Sequence, residues 1–224
     1  MNVADAVAAR FSARAFLDQP VPVEQIRRIL DRARQAPSGG NLQPWHVYVV
    51  AGRPLRKLRG KIRRRALLKP RGEEPEYNVY PPELGEPYRT RRFKCGEDLY
   101  AAIGIPREDR AARLRQFARN FEAFGAPVVL FFTIDRRMGQ NQWAHLGMFM
   151  QTVMLLAVEE GLHTCPQEAW SAFHQTVAEF LGLPDEQMFY CGMAMGHADL
   201  EHPINRWRTE RAPLDEIAKF LVEA

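Results

Sequence analysis

The spacing of apolar residues along this chain predicts more helix than strand. Apolar positions three and four residues apart over 2–10 predict a first helix that ends near Phe11. Prolines and glycines then set the ends of the later helical patterns, because proline suits a first helical turn and glycine a C-cap. Further helices are predicted over 22–33, 53–71, 107–124, 141–160 and 170–180, with a short last one starting at Pro213.

Three short runs rich in β-branched and aromatic residues predict strands. They are VYVVA at 47–51, VVLFFTI at 128–134 and the apolar stretch at 188–195. Pairs of helices separate these strands, whereas a doubly wound fold alternates one helix with one strand. We therefore predict one α+β domain over residues 1–224, with a small mixed sheet surrounded by helices.

The pattern over 141–160 differs from that of an ordinary surface helix. Apolar residues occupy most of its circumference, and Gly161 follows as a C-cap. A helix of this kind is buried on nearly all sides. The sequence predicts burial either at the centre of the domain or against a second subunit.

A polar segment at about 70–93 carries five prolines and has no helical or strand period. A stretch of this length is either functional or a disordered surface loop. As a substrate cover, its tyrosines and arginines would stack on an aromatic ring and pair with an acid group. The candidate substrate residues are Tyr77, Tyr80, Tyr88, Arg89, Arg91 and Arg92.

Composition restricts the class of protein without deciding its function. No apolar run approaches the roughly 20 residues of a membrane span, and the N-terminus does not resemble a secretory signal. Three cysteines without CxxC spacing argue against a disulfide framework, and the six histidines lack metal-ligand spacing, so no metal site is expected. We expect a cytoplasmic protein without a membrane partner.

The net charge of +4 is mild, but the basic residues are unevenly distributed. Ten arginines and lysines occupy 53–71 with no acidic residue among them. Such a run usually forms a solvated helix face. Nucleic-acid binding is the alternative, although the run lacks the interleaved aromatic residues that stack on bases. We therefore expect no nucleic-acid partner.

Three other stretches carry candidate chemistry. The first, Arg10-Phe-Ser12-Ala-Arg14, places two guanidinium groups and a hydroxyl where they can surround a phosphate. The second is the loop PSGGNLQPW at 37–45, whose glycines allow close backbone approach to a flat ligand. The third, at 205–211, adds further arginines near the C-terminus.

Together these stretches resemble the flavin-binding signature of the nitroreductase family. R-x-S-x-R is followed some 25 residues later by PSGGNLQPW, then by G-x-x-x-x-P-x-E at 161–168, and then by the ending GMAMGHADLEHPINRWRTERAPLDE at 192–216. The resemblance spans nearly the whole chain in matching order, is weakest at 53–125, and looks closest to reductases of nitroaromatic acids. One departure is Ala169-Trp170 after Glu168, where many relatives have glycine, which puts ring contact and pocket width in question.

The resemblance implies an intertwined homodimer with two FMN sites at its interface. It assigns the FMN phosphate and ribityl chain to Arg10, Ser12 and Arg14, joined by Arg206 or Arg208. The loop of the other subunit would contribute, and the residues before the departure would face the isoalloxazine ring, with no side chain required as a nucleophile. These further cofactor residues are Pro37, Ser38, Gly39, Asn41, Gln43, Pro166, Gln167 and Glu168.

The function that the resemblance implies is a ping-pong reduction of small nitroaromatic substrates with NADH or NADPH as electron donor. A flavin carries this chemistry, which agrees with the lack of nucleophile and P-loop motifs in the sequence. Two alternatives remain open. One is a flavin-dependent dehalogenase or oxidase with the same FMN cradle, and the other is a basic nucleic-acid-binding protein.

Overall fold

The computed structural model describes residues 1–222, which form a four-stranded sheet with α-helices on both faces. The strands are β1 (His46–Ala51), β2 (Val128–Asp135), β3 (His163–Gln167) and β4 (Gln187–Gly196). The helices are α1 (Val3–Ala9), α2 (Val23–Ala33), α3 (Gly52–Leu68), α4 (Tyr88–Ala102), α5 (Arg110–Ala118), α6 (Gln140–Glu159), α7 (His174–Leu181), α8 (Pro203–Arg206) and α9 (Leu214–Ile217). Shorter 3-10 helices cover Gly39–Asn41, Arg119–Gly125 and Glu168–Phe173.

The sheet has the strand order β1-β2-β4-β3, and the α+β prediction is confirmed. Its three strand pairs are all antiparallel. The parallel component of the predicted mixed sheet is confined to an isolated bridge between Ser12 and Thr164. This bridge places the chain after α1 against the edge strand β3, so the R-x-S-x-R stretch is held at one edge of the sheet.

Both faces of the sheet are covered, and β2 runs through the centre of the core. Leu130 and Phe132 belong to the apolar cluster shared with α2 and α6. Val129 and Phe131 belong to the cluster shared with α3 and α7. Successive side chains of a strand point to opposite faces. A strand buried on both faces therefore needs a continuous apolar sequence, which is why VVLFFTI predicted it so clearly.

Helix α6 is buried on only one face within a single chain. Residues such as Phe149 and Val153 pack on the sheet, whereas Ala144, Gly147 and Met148 are exposed. The sequence analysis offered burial of α6 either at the centre of the domain or against a second subunit. Burial at the centre does not account for the outer face of α6, which is exposed in a single chain. Even so, none of the described helices has the length and hydropathy that crossing a membrane requires.

Besides the short helix α8, the sequence did not predict helix α4 and strand β3. Helix α4 begins inside the polar segment, and none of its residues is fully buried, so it has no apolar stripe to indicate a helix. Strand β3 is a five-residue edge strand that contains Pro166. Proline is tolerated at a sheet edge, where its missing N–H costs no ladder hydrogen bond.

Two predicted helices are divided. The pattern over 107–124 forms α5 and then a 3-10 turn in which Ala123 and Phe124 have positive φ. The pattern over 170–180 starts as a 3-10 helix and becomes α7 only at His174. Apolar spacing of three residues fits both helix types, so the periodicity did not separate them.

Candidate functional site

A cavity of about 430 Å³ lies between the chain after α1 and the C-terminal segment after α8. The two arginines and the serine of the R-x-S-x-R stretch line one side, and Arg208 and Arg211 line the other. We call this the arginine cavity. Its remaining lining residues are Val7, Ala8, Phe11, Gln151, Trp207 and Thr209.

The edge of the sheet explains why Ser12 and Arg14 reach this cavity while the alanines that follow them do not. The backbone N–H of Ala13 donates to the carbonyl oxygen of Thr164 at 3.0 Å, which holds the segment extended beside β3. Ala13 and Ala15 are buried in the core. Side chains alternate in an extended segment, so Ser12 and Arg14 point the opposite way, into the cavity.

The arginine cavity has an unbalanced positive charge. No carboxylate lines it, and across residues 1–222 none of its four arginines forms an ion pair. Burial, and then the nearby charge of Arg211, lower the pKa of the Arg10 guanidinium. Converging guanidinium groups without a counter-ion match a phosphate, whose oxygens accept bidentate hydrogen bonds.

Asn205 joins the two sides of the cavity, and sequence reasoning gave it no role of its own. Its side chain is only 1% exposed. The Oδ1 atom accepts from the backbone N–H of Arg14 at 2.8 Å, and Nδ2 donates to the carbonyl oxygens of Ala15 and Asp199 at 2.7 and 2.8 Å. A buried amide with each hydrogen bond satisfied fixes both segments. Its place directly before Arg206 was the only sequence signal.

The structure separates the two C-terminal arginines that the sequence left as alternatives. Arg206 forms an ion pair with Glu201 and does not line the arginine cavity. Arg208 lies 3.9 Å above the centre of the Phe11 ring and donates to the carbonyl oxygens of Asn205 and Trp207. Of these two C-terminal arginines, only Arg208 is therefore available to an anion in the cavity.

The loop PSGGNLQPW lies elsewhere in the same chain. Gly40, Asn41 and Gln43 all have positive φ, and the Ser38 hydroxyl accepts from the backbone N–H of Gln43 at 2.9 Å. A Cβ on Gly39 would lie 3.0 Å from the His145 ring of α6. None of the predicted loop residues Pro37, Ser38, Gly39, Asn41 and Gln43 lines the arginine cavity.

The end of β3 carries Pro166, Gln167 and Glu168, and the middle side chain does not face an open site. Gln167 is 2% exposed, and its amide donates to the carbonyl oxygen of Asn120 at 2.8 Å and accepts from the Trp170 indole at 3.2 Å. Core hydrogen bonds occupy this side chain, so a contact of Gln167 with a flavin ring would have to come from its backbone.

Glu168 differs from its buried neighbour. Its side chain is accessible to solvent, yet partial burial raises the pKa of its carboxyl group. Across residues 1–222 it forms no ion pair with a basic side chain. A carboxyl group with a raised pKa is a candidate proton source at a reactive site.

At the Ala169-Trp170 departure, the tryptophan side chain lies in the core. Trp170 is fully buried, with its ring 5.2 Å from that of Phe131 in an edge-to-face arrangement. A Cβ on Gly192 of β4 would lie 2.7 Å from the Trp170 ring, so this position requires glycine. Trp170 therefore fills the core under β4, and Ala169 is the residue left beside Glu168.

The polar segment 70–93 is ordered by contacts at its start. Glu73 is buried, pairs with Arg65 of α3 at 2.9 Å, and accepts from the backbone N–H groups of Gln175 and Thr176. Tyr77 follows, and its hydroxyl donates to the carbonyl oxygen of Tyr190. The disordered-loop alternative does not describe residues 73–77.

The other predicted substrate residues lie apart from Tyr77. Arg92 sits 4.0 Å above the exposed Tyr80 ring, and both it and Arg89 line an open cavity of about 900 Å³ against α4. Arg89 pairs with Glu86, Arg91 pairs with Glu216, and Tyr88 is 61% exposed. Across residues 1–222, Arg92 is the one arginine of the three without a carboxylate partner.

Comparison with known proteins shows which family the chain belongs to. The family model described as "Nitroreductase family" matches residues 7–197. The chain belongs to the nitroreductase family. It is 40% identical over 219 residues to a nitrobenzene nitroreductase of Ectopseudomonas oleovorans, covering 98% of this chain and 96% of the relative. A 4-nitrobenzoate reductase of Pseudomonas putida is 38% identical over 218 residues, covering 96% and 93%.

Solved structures of the nitroreductase family share the fold closely. An FMN and NADPH-dependent nitroreductase NfnB from Sphigopyxis sp. strain HMH superposes with a TM-score of 0.97 at 46% identity, covering all of both chains. The FMN-dependent NfnB of Mycobacterium smegmatis, solved with NADPH, has a TM-score of 0.91 at 29% identity and covers 98% of this chain and 99% of its own. The resemblance inferred from the sequence is confirmed.

Proposed function

We propose that this chain is an FMN-dependent nitroreductase that reduces small nitroaromatic compounds with NADH or NADPH. The observation that carries the proposal is the arginine cavity, in which four guanidinium groups converge without a carboxylate. Support comes from relatives that reduce nitrobenzene and 4-nitrobenzoate and cover nearly the whole chain. Two related structures are of FMN-dependent enzymes that use or bind NADPH.

The arginine cavity fits the phosphate and ribityl end of FMN. Arg10, Arg14 and Arg208 would hold the phosphate, with Arg211 as a fourth cation that the sequence analysis did not assign. Ser12 would donate to the ribityl chain or phosphate, since its hydroxyl lines the same cavity. On this proposal, the whole of residues 1–224 serves as one FMN-binding domain, with the variable insert at about 70–93.

We propose that a second copy of the chain completes each FMN site. The loop residues 37–43 are mostly exposed and do not reach the arginine cavity of their own chain. The outer face of α6 and the C-terminal Phe220, Leu221 and Val222 are exposed apolar surfaces. Burying them would favour an intertwined homodimer. Sedimentation equilibrium checks this, and a monomer at micromolar concentration would exclude it.

The flavin ring would lie over the end of β3, beside Pro166 and Glu168. The chemistry that FMN supplies when bound is two-electron transfer between a reduced nicotinamide and a nitro compound. The protein would orient the ring through backbone groups at 166–168, because the Gln167 side chain is engaged in the core. Glu168 would hold a proton at its carboxyl group, since partial burial raises its pKa.

The Tyr80–Arg92 pair is the part of the insert best suited to an aromatic acid. An arginine over an aromatic ring, free of a carboxylate partner, offers both a stacking surface and a cation. Arg89 and Arg91 are less available because each has a carboxylate partner. If this holds, Arg92→Gln should weaken the binding of nitrobenzoate, measured as a higher KM, and leave nitrobenzene unaffected. Arg91→Gln should change the KM for neither substrate.

The visible absorption spectrum of the purified protein tests the proposed function. Flavin bands, with free FMN near one per subunit after heat denaturation, are the expected result. A colourless protein that does not take up added FMN would overturn the proposal. Rapid NAD(P)H-dependent turnover of nitrobenzene separates a nitroreductase from the dehalogenase or oxidase alternative, which predicts bound FMN with poor nitro reduction.

A further inference from the structure

The Phe11 ring contacts two other groups beside the arginine cavity. The Arg208 guanidinium carbon lies 3.9 Å from its centroid. The centroid of the His163 ring lies 5.3 Å from that of Phe11, and the two rings are tilted by 55°. Phe11 itself lines the cavity between Arg10 and Ser12 in sequence. An aromatic ring therefore occupies the variable position of the R-x-S-x-R stretch and contacts a C-terminal arginine.

Arg208 has few other groups to fix its orientation. It is exposed, and its hydrogen bonds go to two carbonyl oxygens of its own segment. Its neighbour Arg206 is held by the Glu201 carboxylate. A carboxylate partner on Arg208 would order the side chain but would also compete with a bound phosphate. An aromatic ring orders a guanidinium group through a cation–π contact and leaves its N–H donors free.

His163 supports the stack without adding charge to it. The backbone N–H of Ala198 donates to its Nδ1 atom at 3.4 Å, which leaves the proton of the neutral ring on Nε2. Burial, followed by the charges of His197 and Arg208, lowers the pKa of His163 below its ordinary 6.5. The ring is therefore neutral at pH 7, so it packs against Phe11 without repelling the guanidinium group.

We propose that Phe11 is a positioning residue that orients the Arg208 guanidinium toward the FMN phosphate. The inference rests on the proposed FMN site and goes further, because it assigns a role to a side chain that cannot itself bind phosphate. The proposal predicts that Phe11 contributes only to binding of the FMN phosphate. The affinity for riboflavin, which lacks the phosphate, should therefore not change when Phe11 is replaced.

The test compares FMN with riboflavin on the flavin-free protein, by quenching of flavin fluorescence. Phe11→Leu should weaken FMN about fivefold, the size of a modest cation–π contact, and leave riboflavin within twofold of the wild type. Phe11→Tyr keeps an aromatic face and should retain wild-type FMN affinity. Arg208→Gln should weaken FMN binding at least as much as Phe11→Leu does. When both substitutions are combined, Phe11→Leu should weaken FMN binding less than twofold beyond the effect of Arg208→Gln alone.

Phe93→Leu is the matched control, because Arg107 lies 5.2 Å above the Phe93 ring, away from the arginine cavity. Phe93→Leu should change neither the FMN affinity nor the riboflavin affinity. Equal weakening of FMN and riboflavin by Phe11→Leu would indicate a general structural role and overturn the inference. So would unchanged FMN binding in that variant. If the wild type binds no FMN at all, the proposed function fails first, which is a distinguishable result.

Discussion

Two regions of this molecule are rich in arginine and differ in how the charge is balanced. On α3, Lys61, Arg63 and Arg65 each have a carboxylate partner, contributed by Glu179, Glu122 and Glu73. The buried side of that helix is an apolar stripe that packs on the sheet. In the arginine cavity, four arginines converge and no carboxylate lines the space. Among the described residues, three of the ten cations of the 53–71 run therefore have carboxylate partners, and none of the four arginines of the cavity does.

The difference shows that the number of basic residues is a poor guide to binding. In the sequence, 53–71 is the most basic segment and contains no acidic residue. Glu73, one of its acidic partners, lies just after the run, but Glu122 and Glu179 come from distant parts of the chain, so folding is needed to reveal those two pairs. A cation with a carboxylate partner is largely neutralised, whereas converging cations without one attract an anion. Both halves of this comparison can be tested by substitution.

The largest effect is expected where an α3 arginine meets a buried carboxylate. Glu73→Ala should lower the free energy of unfolding by roughly 2–3 kcal/mol, because it removes the shared acceptor of several buried or half-buried donors. It leaves Arg65 and the N–H groups of Gln175 and Thr176 without their acceptor. Urea unfolding measures this. Glu122→Ala, which removes an exposed pair with Arg63, is the control and should leave the midpoint unchanged.

The same carboxylate should make stability depend on acid pH. Burial by itself would raise the pKa of Glu73, but hydrogen bonds from Thr176, Arg65 and Gln175 outweigh it and lower the pKa below its ordinary 4.5. Its stabilising contribution is therefore complete above pH 4.5 and is lost as the pH falls through the lower folded value. The stability difference between wild type and Glu73→Gln should shrink below pH 4.5. A constant difference down to pH 3 would contradict this.

In the arginine cavity, the expected loss is in ligand affinity rather than in folding. Arg14→Gln should weaken FMN about 30-fold, since a charge-assisted hydrogen bond contributes roughly 2 kcal/mol. Riboflavin affinity should stay within twofold, and the FMN dissociation constant should depend less on salt than in the wild type. Fluorescence titration at two ionic strengths checks both results. A parallel loss of riboflavin would place Arg14 away from the phosphate.

A smaller effect should separate the two C-terminal arginines. Arg208→Gln should weaken FMN about tenfold, because Arg208 lines the cavity without a carboxylate partner. Arg206→Gln should change FMN affinity less than twofold, because Glu201 already holds that side chain outside the cavity. Isothermal titration of the two variants is the comparison. The reverse order would mean that Arg206 changes partner when FMN binds.

The smallest effect is expected for exposed α3 cations. Arg56→Gln and Arg64→Gln should leave both the urea midpoint and the FMN affinity unchanged, because these residues are exposed and lie outside the arginine cavity. Retention on immobilised DNA at 50 and 200 mM salt tests the nucleic-acid alternative for the same face. Strong retention that these two substitutions abolish would revive that alternative.

Sequence reasoning recovered the elements that depend on local pattern. The continuous apolar run at 128–134 identified β2, because a strand covered on both faces needs apolar residues throughout. It did not recover α4, where no apolar stripe exists, or β3, which is short and contains Pro166. Both α4 and β3 are stabilised by contacts with other segments of the chain, which the local spacing of apolar residues does not reveal.

The sequence by itself determined the α+β class, the family and the R-x-S-x-R stretch, since each depends on residue types at fixed local spacing. Only the tertiary structure decided which arginines share a cavity, because Arg14 and Arg208 are distant along the chain and meet through the buried Asn205. It also decided that Arg206 pairs with Glu201 and that Gln167 is engaged in the core. Charge balance and side-chain direction depend on neighbours from distant segments, and these are brought together only when the chain folds.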